Sequence, residues 1–488
     1  MTRHLAALLL VAAAALAVTA APASATGNFE NPAQITINAA GKANPYPSTI
    51  DVTGQYGVIS EVTVGLRGLS HTQPNDLDVL LVSPSNTAVV LMSDACGTSD
   101  VTNANWTFNQ RFGSPMAGNG PCQGILHRPT DHPAGDNWPD APDVPVRADL
   151  DALVGEGANG AWRLFVWDDA AKDAGKLLRG WTLGIETRNP VAMVPGNSTV
   201  GTASPYPVTK TVAGREGVIE DVDITIGGLF HERPADLDIV IESPGGRRVM
   251  LMSDACGESP KARDLRLTWG NPTVAGMPAT GPCPTDFKWF PTDYGSVAET
   301  LPAPAPPRPY EIYVDEFLYA DPNGEWKLYV FDDTADAARG FFDHFDVEIK
   351  TRPRATVELL PTQLELPEGE TRELRLFRQS GGRGFGDGSV VVTTTPLGAT
   401  SGTDYEPVQK TVELPRATQE VTVPIRALAD DLPEDVETFA VSLSQPTGDA
   451  QLSAQPATIV SIADRTPRPV EDAGDPAGPG PGPGTGAG

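Results

Sequence analysis

Cysteine, histidine, basic charge and long apolar runs are all scarce in this chain of 488 residues. The four cysteines form no Cys-x-x-Cys, which excludes a redox dithiol or a zinc site of that form. Six histidines occur (His4, His71, His127, His132, His231 and His344), and none belongs to a His-Glu-x-x-His zinc motif. No serine stands in a Gly-x-Ser-x-Gly elbow, no helical stripe survives to carry a subtilisin-like nucleophile, and the glycines sit in turns rather than in a phosphate-cradling loop. With 35 basic against 63 acidic residues the formal net charge is −28, which opposes nucleic-acid binding and is compatible with divalent cations. Beyond Val18 no stretch approaches the roughly 20 apolar residues of a membrane helix, so no transmembrane anchor is expected.

What is abundant is glycine (49) and proline (47), among many Val and Thr runs, the composition of short strands joined by turns. The N-terminus has the form of an export signal. Arg3 and His4 precede an apolar run from Leu5 to Val18, and Ala23-Ser24-Ala25 has the small-x-small form that a signal peptidase accepts. Residues 1–25 are read as the signal peptide, with Thr26 as the mature start and a secreted, extracellular location. The apolar run is too short and too alanine-rich to span a membrane comfortably. Roughly 460 residues remain, room for about three domains.

A repeat organises most of them. Leu91-Met92-Ser93-Asp94-Ala95-Cys96-Gly97 recurs letter for letter as Leu251-Met252-Ser253-Asp254-Ala255-Cys256-Gly257. The same offset of 160 residues carries Pro45-Tyr46-Pro47 onto Pro205-Tyr206-Pro207 and His71, Pro74 and Asp76-Leu77-Asp78 onto His231, Pro234 and Asp236-Leu237-Asp238. Near the end of each copy the offset becomes 164, where Trp162 and Asp168-Asp169 meet Trp326 and Asp332-Asp333. Two folded units follow, 27–188 and 189–352. Cysteines at corresponding places argue for a bridge inside each copy, Cys96–Cys122 and Cys256–Cys283, each stabilising by about 3 kcal/mol on the loop-entropy estimate. Trp162, Leu164 and Val166 share one face of a strand, and Leu77–Val82 and Leu237–Ile241 are the near-continuous apolar runs of central strands covered on both sides. Each copy is therefore expected to be a β-sandwich.

The order His-x-x-Pro-x-Asp-Leu-Asp, then Asn-Gly-x-Trp-x-Leu-x-Val-x-Asp-Asp, then Trp181-Thr182-Leu183, resembles the P domain (Homo B) of subtilisin-like proprotein convertases. Phe290-Pro291-Thr292-Asp293-Tyr294-Gly295 and the proline-rich Leu301-Pro302-Ala303-Pro304 extend the likeness in the second copy. The resemblance implies a jelly-roll-like sandwich of a kind that usually sits beside a serine protease domain and stabilises it.

From Thr356 the pattern changes. Glu420–Ile425 and Phe439–Leu443 alternate cleanly, Ser401-Gly402-Thr403-Asp404-Tyr405 precedes them, and an acidic loop runs from Asp430 to Glu437. This ordering, over 354–465, resembles a Calx-β domain, an immunoglobulin-like sandwich. The resemblance implies a calcium site from Glu368, Asp404, Asp430, Glu434, Glu437 and Asp464 with the Leu432 carbonyl, because Ca²⁺ takes six to eight oxygen ligands. Two positions depart from the calcium-binding pattern: Ala429 stands where another Asp is expected, and Arg465 follows Asp464. One weak Ca²⁺ site and a solvated acidic rim both remain open. Residues 466–488, ending in Gly-Pro repeats, are expected to be a disordered tail.

The expected architecture is all-β: three tandem β-sandwiches, two jelly-roll-like and one immunoglobulin-like. Three in a row make a rigid rod, read as a secreted non-catalytic binding or adhesion protein for an extracellular protein or glycan. The alternatives are an accessory, stabilising or inhibitory partner of a secreted subtilisin-like protease, and an envelope spacer. The recognised domains leave no room for a catalytic domain. The paired acids Asp168-Asp169, Asp332-Asp333 and Asp76/Asp78 are read as turn or capping groups, or calcium contacts. His127 and His132 are read as loop residues.

Overall fold

The computed structural model describes residues 25–132, 136, 138–194, 200–257, 262–270, 276–284, 287–295, 300–335, 338–431, 433–463 and 465. The segments read as export signal and tail, apart from Ala25, lie outside them. Among the described residues there is no α-helix; strands and four short 3-10 turns make up the regular structure. No described helix is long and apolar enough to cross a membrane.

The strands gather into three pairs of sheets, each pair enclosing its own buried cluster. The first pair has eight and seven strands, the second six and six, and the third four and five. The first two pairs repeat one plan. A 14-residue strand, Val58–His71 in one and Val218–His231 in the other, leads through a 3-10 turn at Pro74–Asp76 or Pro234–Asp236 into the central strand Leu77–Val82 or Leu237–Glu242. That strand pairs antiparallel with Gly160–Asp168 or Gly324–Asp332.

The apolar runs are explained by cover on both faces. Leu77, Val79 and Leu81 enter the inter-sheet core with Trp162, Leu164 and Val166. Leu80, Val82 and Phe165 point the other way, beneath Tyr46 and a loop carrying Trp138, Ala141 and Val144. In the second copy the proline-rich segment supplies this cover, with Leu301 and Tyr310 over Val240, Met250 and Tyr329. The disulfides Cys96–Cys122 and Cys256–Cys283 are both formed, with Cα–Cα distances of 4.6 and 4.9 Å.

His127 departs from the loop expected of it. It lies in the strand Leu126–Arg128, parallel to Val101–Asn109, with its ring edge-on to Trp106, and burial pushes its pKa down. A short strand inserted beside a longer one needs only two register partners, which alternation does not reveal.

The junctions are packed. Val154 of the first sandwich is buried with Phe230 and Phe341 of the second, and Arg339 reaches back to the Ala152 carbonyl and stands 3.3 Å from Glu156. At the second junction Arg352, the last residue of the strand His344–Arg352, makes a two-pronged pair with Asp449 of the third sandwich, at 3.1 and 2.7 Å. Asp449 also accepts the Ala355 and Gly386 amides and lies 3.6 Å from the buried Arg378.

Candidate metal centre

The third sandwich positions the expected ligands on different strand ends and loops at one tip. Glu368 follows the strand Gln363–Pro367 and is anchored by its amide to the Ala463 carbonyl. Asp404 sits in a turn and accepts the Thr400 amide at 2.6 Å; Leu428, from the next strand end, donates to its carbonyl. Glu437 opens the strand Glu437–Gly448, and Glu434 precedes it on the acidic loop. Beneath them Tyr405 stacks on Phe439, ring centroids 4.0 Å apart, which gives the loops a rigid floor.

Asp404, Glu434 and Glu437 offer carboxylate oxygens that all lie within 4.8 Å of one another. The consequence is electrostatic. A hydrogen bond shared with Asp404 pushes Glu437 up to about 7, helped by burial and by the charges of Asp404, Glu434 and Glu368. Its Oε2 is buried without a hydrogen-bond partner among the described residues. A set of hard oxygen donors whose members hold a proton to share space, with one buried oxygen left over, fits a hard divalent cation. Of the residues expected in the site, three converge and Glu368 is felt through its charge. Asp430 is not among the converging oxygens, and Asp464 and Leu432 lie outside the described residues.

The two departures also find their places. Arg465 pairs with Glu370, which also holds Arg372 at 2.9 Å and is not one of the converging carboxylates. Ala429 lies over Gly369, a methyl where a further carboxylate was expected.

A second group of acids was missed in part. Asp78, on the central strand of the first sandwich, meets Asp94 and Asp136, again with oxygens within 4.8 Å of one another. Ser93 donates to Asp136 at 2.6 Å. Burial, then the charge of Asp136, pushes Asp78 up to about 8; the same causes push Asp94 up to about 6, and Asp131 and Asp169 are raised as well. Asp78 and Asp94 belong to repeated motifs, but Asp136 follows 42 residues after Asp94 with nothing in the sequence to link them. In the second copy, Asp293, the counterpart of Asp131, has the Arg308 guanidinium 3.4 Å away.

Two further acid–histidine pairs are held within the fold. Asp168 caps a turn by accepting the Ala170 amide and meets the buried His71 ring at 3.2 Å, while the other ring nitrogen faces the Gln73 carbonyl at 2.8 Å. Asp332 and His231 repeat this arrangement.

Comparison with known proteins finds two families along the chain. Residues 59–121 match the proprotein convertase P-domain and residues 353–466 the Calx-beta domain. No protein of curated function matches the chain. Among solved structures, the apo form of the Calx CBD1 domain is 23% identical over 23% of this chain and 97% of that one, with a TM-score of 0.22. The calcium binding domain CBD12 of CALX1.1 is 26% identical over 22% and 45%, with a TM-score of 0.21. The serine protease of Aeromonas sobria in complex with its chaperone is 17% identical over 35% and 28%, with a TM-score of 0.19. This chain carries proprotein convertase P-domain sequence at residues 59–121 and a Calx-beta domain at residues 353–466.

Proposed function

We propose that this is a secreted, non-catalytic binding protein, exported by residues 1–25, in which two P-domain-like sandwiches (27–188 and 189–352) carry a Calx-β domain (354–465) with a weak calcium site at its tip, followed by the tail 466–488. The convergence of Asp404, Glu434 and Glu437 with an unpartnered buried Glu437 oxygen carries the calcium reading. Glu368, Asp404, Glu434 and Glu437 would hold the ion, with Asp430, Asp464 and the Leu432 carbonyl available from the adjoining loop and strand end. Bound Ca²⁺ would neutralise the tip and order its loops.

Titrating the full mature chain with CaCl₂ by calorimetry and thermal shift tests this. Binding in the micromolar to millimolar range, lost in Glu437→Gln, is expected; no heat and no shift at millimolar Ca²⁺ would sink the calcium reading. Incubation with casein and a fluorophosphonate probe tests the non-catalytic part, which covalent labelling of any serine would overturn.

A second reading rests on the P-domain match at 59–121: the chain serves a secreted subtilisin-like protease as a stabilising or inhibitory partner. Pull-down from culture supernatant separates a protease partner from a glycan or cell-surface ligand.

A further inference from the structure

One turn is used twice in this molecule, with opposite residues. After the 3-10 turn Leu150–Leu153 the first copy has Gly155, with φ +88°; after Val314–Phe317 the second copy has Tyr319, with φ +68°. The turns are the same: the Gly155 amide donates to the Ile59 carbonyl at 2.8 Å and the Tyr319 amide to the Ile219 carbonyl at 2.8 Å. A left-handed backbone suits glycine and strains a bulky residue, so a tyrosine there requires compensation from its surroundings.

The compensation comes from the seam between the second and third sandwiches. The Tyr319 ring lies under the Arg352 guanidinium at 5.0 Å and the Arg416 guanidinium at 5.3 Å. It sits in a notch of the loop 381–386. A Cβ on Gly384 would strike the Tyr319 hydroxyl, one on Gly386 would overlap the Tyr319 Cβ, and one on Gly382 would strike the Arg352 side chain. Arg416 also donates to the Asp315 carbonyl at 2.9 Å, from the third sandwich to the same 3-10 turn. At the first junction the sizes are reversed: Gly155 is the small partner, and the neighbouring side chain nearest to it is Arg339 of the second sandwich.

We infer that Tyr319 is a docking key, a residue placed at a glycine position of the repeat so that the second sandwich locks into the glycine notch at 382–386 and the two unfold as one unit. The interaction surface is specific: it fits a loop with three side-chain-free positions beside Arg416, while Arg352 of the second sandwich closes over the same ring, and the first copy, with Gly155, has no such key.

The test uses the full mature chain and two variants from opposite sides of the contact, Tyr319→Gly and Gly386→Ala. Trypsin can cut the Arg354–Ala355 bond of the connector, whereas Arg352 is protected by Pro353. In the wild type the second and third sandwiches are expected to melt in a single calorimetric transition with the connector resistant. In either variant that transition splits in two and cleavage at Arg354 rises by about tenfold or more. Tyr319→Gly restores the residue the turn prefers, so it is the variant expected to fold. If it melts in an unsplit transition with an uncut connector, the key is refuted. The same result for a folded Gly386→Ala chain refutes the notch.

Discussion

At one end of the third sandwich a single carboxylate, Asp449, lies between two guanidinium groups; at the other, the carboxylates of Asp404, Glu434 and Glu437 crowd together within the field of Glu368. Asp449, Arg352 and Arg378 are almost fully buried, and the carboxylate takes two backbone amides as well as both arginines. The tip carboxylates are half-exposed at Glu434 and Glu437, and the hydrogen bond with Asp404, burial and the neighbouring charges push Glu437 up to about 7. A buried charge that is fully paired serves the fold; acids crowded at a loop-built tip leave a demand that only a proton or a cation meets.

The largest expected effect is at the joint. Asp449→Ala leaves two buried guanidiniums without their counter-charge, at a cost of about 3–5 kcal/mol. Urea denaturation measures it, and a loss under about 1 kcal/mol would show the pairs to be no more than surface-like. Calcium at the tip comes next. At a free Ca²⁺ concentration ten times the dissociation constant, the third sandwich gains about 1.4 kcal/mol, and Asp404→Asn with Glu437→Gln abolishes the gain.

The pH dependence is smaller and runs in one direction. Glu437 is held at about 7, above its ordinary value of 4.5, so the folded state binds that proton more tightly than the unfolded one. Without Ca²⁺ the stability of the third sandwich is therefore highest below about 4.5 and falls as the pH rises to about 7, and Glu437→Gln flattens that slope. Asp78, held at about 8 against an ordinary 3.8, gives the first sandwich the same sign over a wider window, which Asp78→Asn removes. Denaturation midpoints followed from acid to neutral pH check both; stability rising with pH in either sandwich would reverse the assignment. The smallest effect is at Arg465. Its pair with Glu370 is exposed, so Arg465→Ala changes stability by less than about 1 kcal/mol. Calcium affinity, measured by the same calorimetry, is expected to rise slightly as a nearby positive charge is removed.

What the chain displayed in one dimension follows the same division. The candidate tip acids were named through the resemblance to a Calx-β domain, and the sandwich faces were legible because Trp162, Leu164 and Val166 alternate. The disulfides were legible because the cysteines repeat with the fold. The joint was not. Arg352 ends a strand, Arg378 lies inside another and Asp449 follows a glycine, three unremarkable settings whose meaning arises only when strands about 70 to 100 residues apart come together. Tyr319 was hidden for another reason: it stands where the repeat's first copy has glycine, and a single mismatch in a repeat gives no sign of the backbone it occupies. Asp136 was hidden by distance along the chain from Asp78 and Asp94.

One strand, Glu437–Gly448, runs from the acidic tip to the joint, ending one residue before Asp449. From the first to the last of its 12 residues are 11 rises of about 3.3 Å, or about 36 Å. That makes the third sandwich a lever whose fulcrum is the joint: a swing of about 5° there displaces the tip by about 3 Å, as far as one residue's rise along the strand. Where the tip points, and so what it can meet, is decided at the opposite end of the sandwich.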